Sequence, residues 1–337
     1  MLTRRTLILA KTEVTEGTDA LPTAALNALL VSNCTVTPQS ELLNRDLYLQ
    51  TLSPLGTVTG VYWGEMSFDT ELRGIGSVPV ASAPLREDPI FLACGLSASY
   101  GAGSAVYKPF SDFASFVSSA TIYAYLDGLL HVMVGVRGNM QMAGTVGQYG
   151  KFTWTLSGAV GTITYPAPAM PMAGEGIRDA ALPSPTYQAF SIKPPALLGA
   201  ATNLIGGTEC IQALNFNMNN TVSRRDCMGA ASGIAGFMVT ARAPGGTVNP
   251  EAVPRSAASG VGPSTNDYWG KWRNNIGGPI TFHAGNVVGN QIDWSMPNSQ
   301  FNRIGYGDRN GIRTFEIEYA ANATTSAGDD EVQIAYK

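Results

Sequence analysis

The second half of this chain repeats the pattern of the first, and that repetition constrains the fold more than any single motif. Asn44-Arg45-Asp46, followed by an apolar run into Val61–Phe68, returns as Arg224-Arg225-Asp226 and then Ile234–Thr240. Ile122-Tyr123-Ala124-Tyr125, a turn at Asp127-Gly128 and the stretch His131–Met142 return as Ile280-Thr281-Phe282-His283, Gly285-Asn286 and Gln291–Asn302. Phe152-Thr153-Trp154-Thr155-Leu156 returns as Phe315-Glu316-Ile317-Glu318-Tyr319. The spacings differ only as loop insertions and deletions would make them differ. Self-similarity at domain length points to two copies of one folding unit.

The unit is β-rich. Met66, Phe68, Thr70 and Leu72 alternate with Glu65, Ser67, Asp69 and Glu71, and Phe152, Trp154 and Leu156 alternate with Thr153 and Thr155. Such period-two runs put one face of each strand toward water or another subunit. A short helix is expected after Asp88 as cap, with Pro89 at its first position and Gly95 as terminator. Asp267–Trp272 occupies the matching slot in the second half, with Gly270 against it. The expected fold is mainly β: two tandem β-barrel or sandwich domains, each with a short flanking helix, related by internal duplication. The boundaries read as an N-terminal arm at 1–27, a first domain at 28–165, a proline-rich linker at 166–195 and a second domain at 196–337. Leu7–Ala10 reads as an arm or edge strand, and Ala243–Thr265, rich in Gly, Pro and Ser, as a loose loop.

Composition excludes several classes of function. Only 14% of the 337 residues are charged, against about 25% in typical globular domains. Either partners cover much of the surface or this is a quiet β-protein with glycine-rich turns. A net charge of −4 leaves no basic face for gripping nucleic acid. The four cysteines lack CxxC spacing, and His131 and His283 have no partners at catalytic or metal-binding spacing. Alternation sends Glu316 and Glu318 to the solvent side, and Asp329-Asp330-Glu331 reads as a solvated turn. No convergent acid, base or nucleophile set is present, so neither an enzyme nor a cofactor is expected. The opening Arg4-Arg5 resembles a twin-arginine signal, but its apolar stretch stops at Lys11. No run approaches the roughly 18 apolar residues that cross a bilayer, so a soluble protein without an export signal is expected.

The repeated pairs Arg45-Asp46 and Arg225-Asp226 need a reason at both places. Neighbours on a strand face opposite ways, so the two cannot simply neutralise each other. Each is expected to find a partner elsewhere, within the domain or across a subunit boundary, where a guanidinium–carboxylate fork fixes orientation.

Arg4–Glu13, Glu16-Gly17-Thr18-Asp19-Ala20, Leu43–Asp46, Ser67–Gly74, Leu92–Leu96 and Gly135–Asn139 leading to Phe152–Gly158 follow one another in a characteristic order. With Leu214–Asn217, Arg224–Asp226 and Arg242–Gly246 in the second half, this order resembles the tail tube (major tail) proteins of long-tailed bacteriophages. The resemblance spans nearly the whole chain and implies tandem tail-tube-type domains. Inner-facing strands would join around a ring, and a duplicated chain would fill a hexameric ring as a homotrimer. Rings would stack in the virion tail after assembly in the host cytoplasm, with no membrane involved. The implied partners are further copies of the chain, the tape-measure protein, tail terminator and hub proteins, and genomic DNA passing without specific binding. By analogy the candidate subunit and inter-ring contacts are Arg45, Asp46, Arg225, Asp226, Arg4, Arg5 and Asp19. The low charge of the loops departs from the expected contact chemistry. Two other readings stand beside this one. One is a tail terminator or distal hub of the same fold. The other is a carbohydrate-binding β-sandwich using Trp63, Trp154, Trp269, Trp272 and Trp294 as platforms.

Overall fold

The structure is a computed structural model describing residues 2, 4–45, 47–48, 50–51, 53, 55–101, 103–112, 118–164, 204, 210–230, 232–252, 267–285 and 288–337. It is mainly β, with three short helices among these residues and antiparallel pairing throughout. The expected linker at 166–195 lies outside the described residues.

β1 (Thr6–Thr12) is followed by α1 (Ala24–Asn27) and the two-residue β2 (Ala28–Leu29). Of the two readings of Leu7–Ala10, arm or edge strand, the structure shows a strand near the end of the sheet. β1 lies between β2 and a later strand, with these four residues buried, because its apolar side chains are covered on both faces. β3 (Ser32–Leu43) and β4 (Val58–Glu71) make a long hairpin. α2 (Asp88–Ala93) follows, then the hairpin of β5 (Leu96–Gly101) and β6 (Ser104–Pro109), and then the meander β7 (Ala120–Leu126), β8 (Leu130–Thr145) and β9 (Lys151–Thr164). Across the sheet the order is β3-β4-β9-β8-β7, with β1 outside β7.

The second half builds β10 (Ile211–Asn217), β11 (Thr221–Asp226), β12 (Ile234–Ala241), β13 (Gly245–Pro250), α3 (Tyr268–Arg273), β14 (Gly278–Ala284), β15 (Ile292–Arg309), β16 (Ile312–Asn322) and β17 (Gln333–Tyr336). β10 pairs with β13 and β11 with β12, so the four strands form one long hairpin bent in the middle. The order is β10-β13-β16-β15-β14. This is the order of the first half, strand for strand, with a helix again between the long hairpin and the meander. Both meanders turn on a positive-φ pair, Asp127-Gly128 after β7 and Asn310-Gly311 after β15, the geometry that matches strand twist.

Two local expectations change. Asp88 is the first helical residue, with Glu87 as cap, because its carboxylate instead accepts the hydroxyls of Tyr100 at 2.7 Å and Tyr107 at 2.8 Å. Within the loose stretch, Gly245–Pro250 forms an internal strand between β10 and β16. A Cβ at Gly246 would stand 1.9 Å from the Asn215 carbonyl oxygen, so this glycine permits close approach of backbones where turn chemistry was expected.

The halves share one core. Phe91 packs edge-on against Trp154 at 5.1 Å, Phe152 lies 6.2 Å from Trp294, and Trp294 meets Phe216 at 4.9 Å. All five side chains belong to a single buried cluster that runs from the first half into the second.

Candidate assembly interface

The long hairpins carry most of the residues singled out by the repeat. Near their ends, Arg224 Nε donates to Asp226 at 2.6 Å and Nη2 donates to Glu41 on β3, also at 2.6 Å. Its guanidinium lies 4.7 Å over the Trp63 ring on β4. The cation therefore ties the second hairpin to the first. Asp226 finds its partner within the domain, in Arg224 and not in adjacent Arg225, because residues two apart on a strand share a face. Arg225 points the other way and is exposed, as is Arg45 just beyond β3. Asp46 lies outside the described residues. Glu41 carries no sequence signal of its own, and Trp63 and Arg224, noted as a sugar platform and as part of the repeat, are not among the interface candidates; the Arg-x-Asp spacing is the available signal.

The N-terminal candidates cluster elsewhere. Arg5 pairs with Asp127 at the β7–β8 turn at 2.7 Å. Asp19 accepts the Leu21 amide at 2.9 Å and the Tyr123 hydroxyl at 2.6 Å. Arg4 is exposed. The six described candidates thus do not form one patch: some sit by the hairpin ends and others by the β7–β8 turn.

Two buried charges fix how these parts sit. Glu13 accepts bonds from Ser119, Thr121 and the amides of Gly17 and Gly135 at 2.6–2.8 Å, which pins the lead-in to the meander. Arg137 is 2% exposed. It donates to the Phe237 carbonyl at 3.2 Å and to the Ser118 hydroxyl, with Glu16 at 3.9 Å. Burial pulls its pKa down while the charges of Glu16 and Glu13 oppose that. The Gly135–Asn139 segment is therefore a brace between β8 and β12.

The histidines have structural partners or surroundings. His131 is buried on β8, which lowers its pKa, and His283 Nδ1 lies 2.5 Å from Asp293. Among the described residues no group of three or more His, Cys, Asp or Glu could hold a metal ion. Glu316 and Glu318 are exposed as alternation predicts. Asp329 and Glu331, expected as a solvated turn, instead engage Arg242. Trp154 and Trp294 are fully buried, so of the five tryptophans read as sugar platforms only Trp63, Trp269 and Trp272 reach the surface.

The profile of a family described as phage tail tube protein matches residues 3–259, from β1 through both long hairpins and β13. The chain belongs to the phage tail tube protein family. No curated protein matches it. Membership makes this tail tube protein a structural component of the virion tail, a subunit that assembles with itself and other tail proteins. Among the described residues no helix is long and apolar enough to cross a membrane.

Proposed function

We propose that this tail tube protein assembles as rings of three copies, each filling two of six similar positions, and that stacked rings form the conduit for the genome. The observation that carries the reading is the strand order, β3-β4-β9-β8-β7 and again β10-β13-β16-β15-β14. A unit used twice within one chain can meet copies of itself through the same kind of contact within and between chains. Duplication of one domain, over 28–165 and 196–337, is the simplest origin of that order. Head-to-tail contacts of this kind close into rings in one direction and propagate into a filament in the other. The exposed Arg45 and Arg225 on the long hairpins, and Arg4 at the N-terminus, are the groups assigned to ring stacking. The tape-measure protein would occupy the lumen before DNA, and terminator and hub proteins would close the ends. A net charge of −4 suits a wall past which phosphates slide without binding. No catalytic step belongs to this role.

Negative-stain electron microscopy with mass photometry tests the reading. Hollow filaments, or rings of three chains showing six lobes, are the expected result. Closed rings that never stack would transfer the protein to the terminator role, and rings of six chains would overturn the proposed stoichiometry.

A further inference from the structure

We propose that the outer edge of β3 pairs with residues 305–309 of β15 in a second copy, antiparallel, with Val36 opposite Tyr306. This rests on the tube reading and adds to it the strands and the register of the ring contact.

The chain already contains the contact once. The second part of β8 pairs with β10, with Met142 opposite Phe216 and Gln141 opposite Asn217. Matching the two halves locates the counterparts. Met142 faces Phe152 on β9, and Tyr306 faces Phe315 on β16. Leu156 faces Met66, which faces Val36; Tyr319 faces Gly246, which faces Phe216. Phe152 and Leu156 hold the places of Phe315 and Tyr319, so Tyr306 is the counterpart of Met142 and Val36 the counterpart of Phe216. Among the described residues no strand pairs with the edge of β3 opposite β4, or with residues 303–309 of β15 opposite β16. One copy thus presents both sides of a junction that its own middle shows closed.

Burial agrees. Phe216 and Met142 are each 1% exposed, whereas Tyr306 is 59% exposed. Tyr306 packs 5.8 Å from Trp269, which stands 5.9 Å from Trp272, and both indoles are themselves partly exposed. Among the described residues the first half has no such patch beside its helix: Pro89–Ala93 of α2 are all buried. There, Asn220 from the second half donates to the Cys94 carbonyl at the end of the helix. A second copy would cover α3 in the same way.

One difference sets the limits of the junction. Met218 donates its amide to the Met140 carbonyl at 3.0 Å, and its counterpart on β3 is Pro38, which has no amide hydrogen. The junction between copies is therefore shorter than the internal one. A proline on an exposed edge also guards it against indiscriminate pairing.

The register can be trapped. Because Met218 and Met140 are hydrogen-bonded, Asn217 and Gln141 form a non-hydrogen-bonded pair, with Cα atoms about 4.5 Å apart. Their counterparts are Thr37 and Gly305, at a spacing that suits a disulfide. A Cβ on Gly305 meets nothing closer than Glu316 at 3.9 Å. Thr37→Cys with Gly305→Cys, in a background carrying Cys210→Ser and Cys227→Ser, would be assembled, oxidised with copper phenanthroline and run on a non-reducing gel. Covalent dimers and trimers are expected, at least tenfold above a slipped control carrying Thr37→Cys with Arg303→Cys. As a second variant, Tyr306→Glu loses contacts to Trp269 and Phe315, so it should lower the melting temperature of the unassembled chain by only about 2–4 °C while abolishing ring formation. Normal tubes without the cross-link, or tubes from Tyr306→Glu, would overturn this junction and leave the tube reading standing. A wild-type chain that forms neither rings nor tubes with its tail partners present would overturn both.

Discussion

Asp69 shows how much of this fold rests on single polar atoms. Its place among alternating polar residues predicts a solvent-facing carboxylate, yet it is 6% exposed. It accepts bonds from Thr153 at 2.6 Å, Asn33 at 2.8 Å and Lys151 at 2.9 Å, so it ties β3, β4 and β9 together. Burial pushes the carboxyl's pKa up, but the bonds from Thr153, Asn33 and Lys151, with the lysine's charge, outweigh it and leave the pKa below the usual value. A carboxylate whose folded pKa lies below its unfolded value near 3.9 contributes its full stability above that pH and loses it as pH falls through the folded value. Asp69→Asn should therefore cost about 1–3 kcal/mol at pH 7, and the gap to wild type should narrow as pH falls below the unfolded value near about 3.9. Urea midpoints for both proteins from pH 2 to 7 would check this; a gap that stays constant down to pH 2 would remove the carboxylate's charge from the account.

At the level of elements, alternation was legible wherever a strand has one covered face. β9 and β16 keep Phe152, Trp154 and Leu156, and Phe315, Ile317 and Tyr319, inside, as their sequences predict. It failed where glycine serves packing. Gly246 marks an internal strand because only hydrogen leaves room for the Asn215 carbonyl, and nothing local to the sequence distinguishes that from a turn. The same holds for α3, whose Gly270 weighed against a helix. The Asp267 carboxylate accepts the Gly270 amide at 2.9 Å, and a Cβ there would lie 2.3 Å from the other carboxylate oxygen. In an open helix Gly→Ala gains up to about 1 kcal/mol. Here the methyl would displace a cap worth about 0.5–2 kcal/mol and crowd its neighbours as well. Gly270→Ala should lower stability by about 1 kcal/mol, measurable by thermal melting. A rise in melting temperature would mean that the carboxylate yields without cost. The candidate contacts were legible only in part for a related reason: the pattern marks Arg225 and Asp226, but which arginine Asp226 holds depends on the shared face of Arg224.

For the molecule as a whole, repetition in the sequence predicts two domains, and the packing runs one apolar cluster through both halves. Strand order repeats, but the apolar interior does not divide with it. Trp154 of the first half and Trp294 of the second are both fully buried, and Phe152, in contact with each, joins them. The β8–β10 pairing carries the sheet across the same boundary, and β17 closes the other side against β6. Separate unfolding of either half would strip this shared surface from the other, so a single transition is expected, with tryptophan fluorescence and far-ultraviolet circular dichroism giving coincident urea midpoints. Trp294→Ala sharpens the test. Truncating a buried tryptophan costs about 3–5 kcal/mol, and in a cooperative body that loss reaches every probe. With Trp269→Phe and Trp272→Phe added, the remaining tryptophans, Trp63 and Trp154, both belong to the first half, and their fluorescence should shift its midpoint as far as the circular dichroism does. If the first half held its wild-type midpoint while the second melted early, the shared aromatic core would be contact without coupling, and each half would carry enough stability to be a domain in its own right.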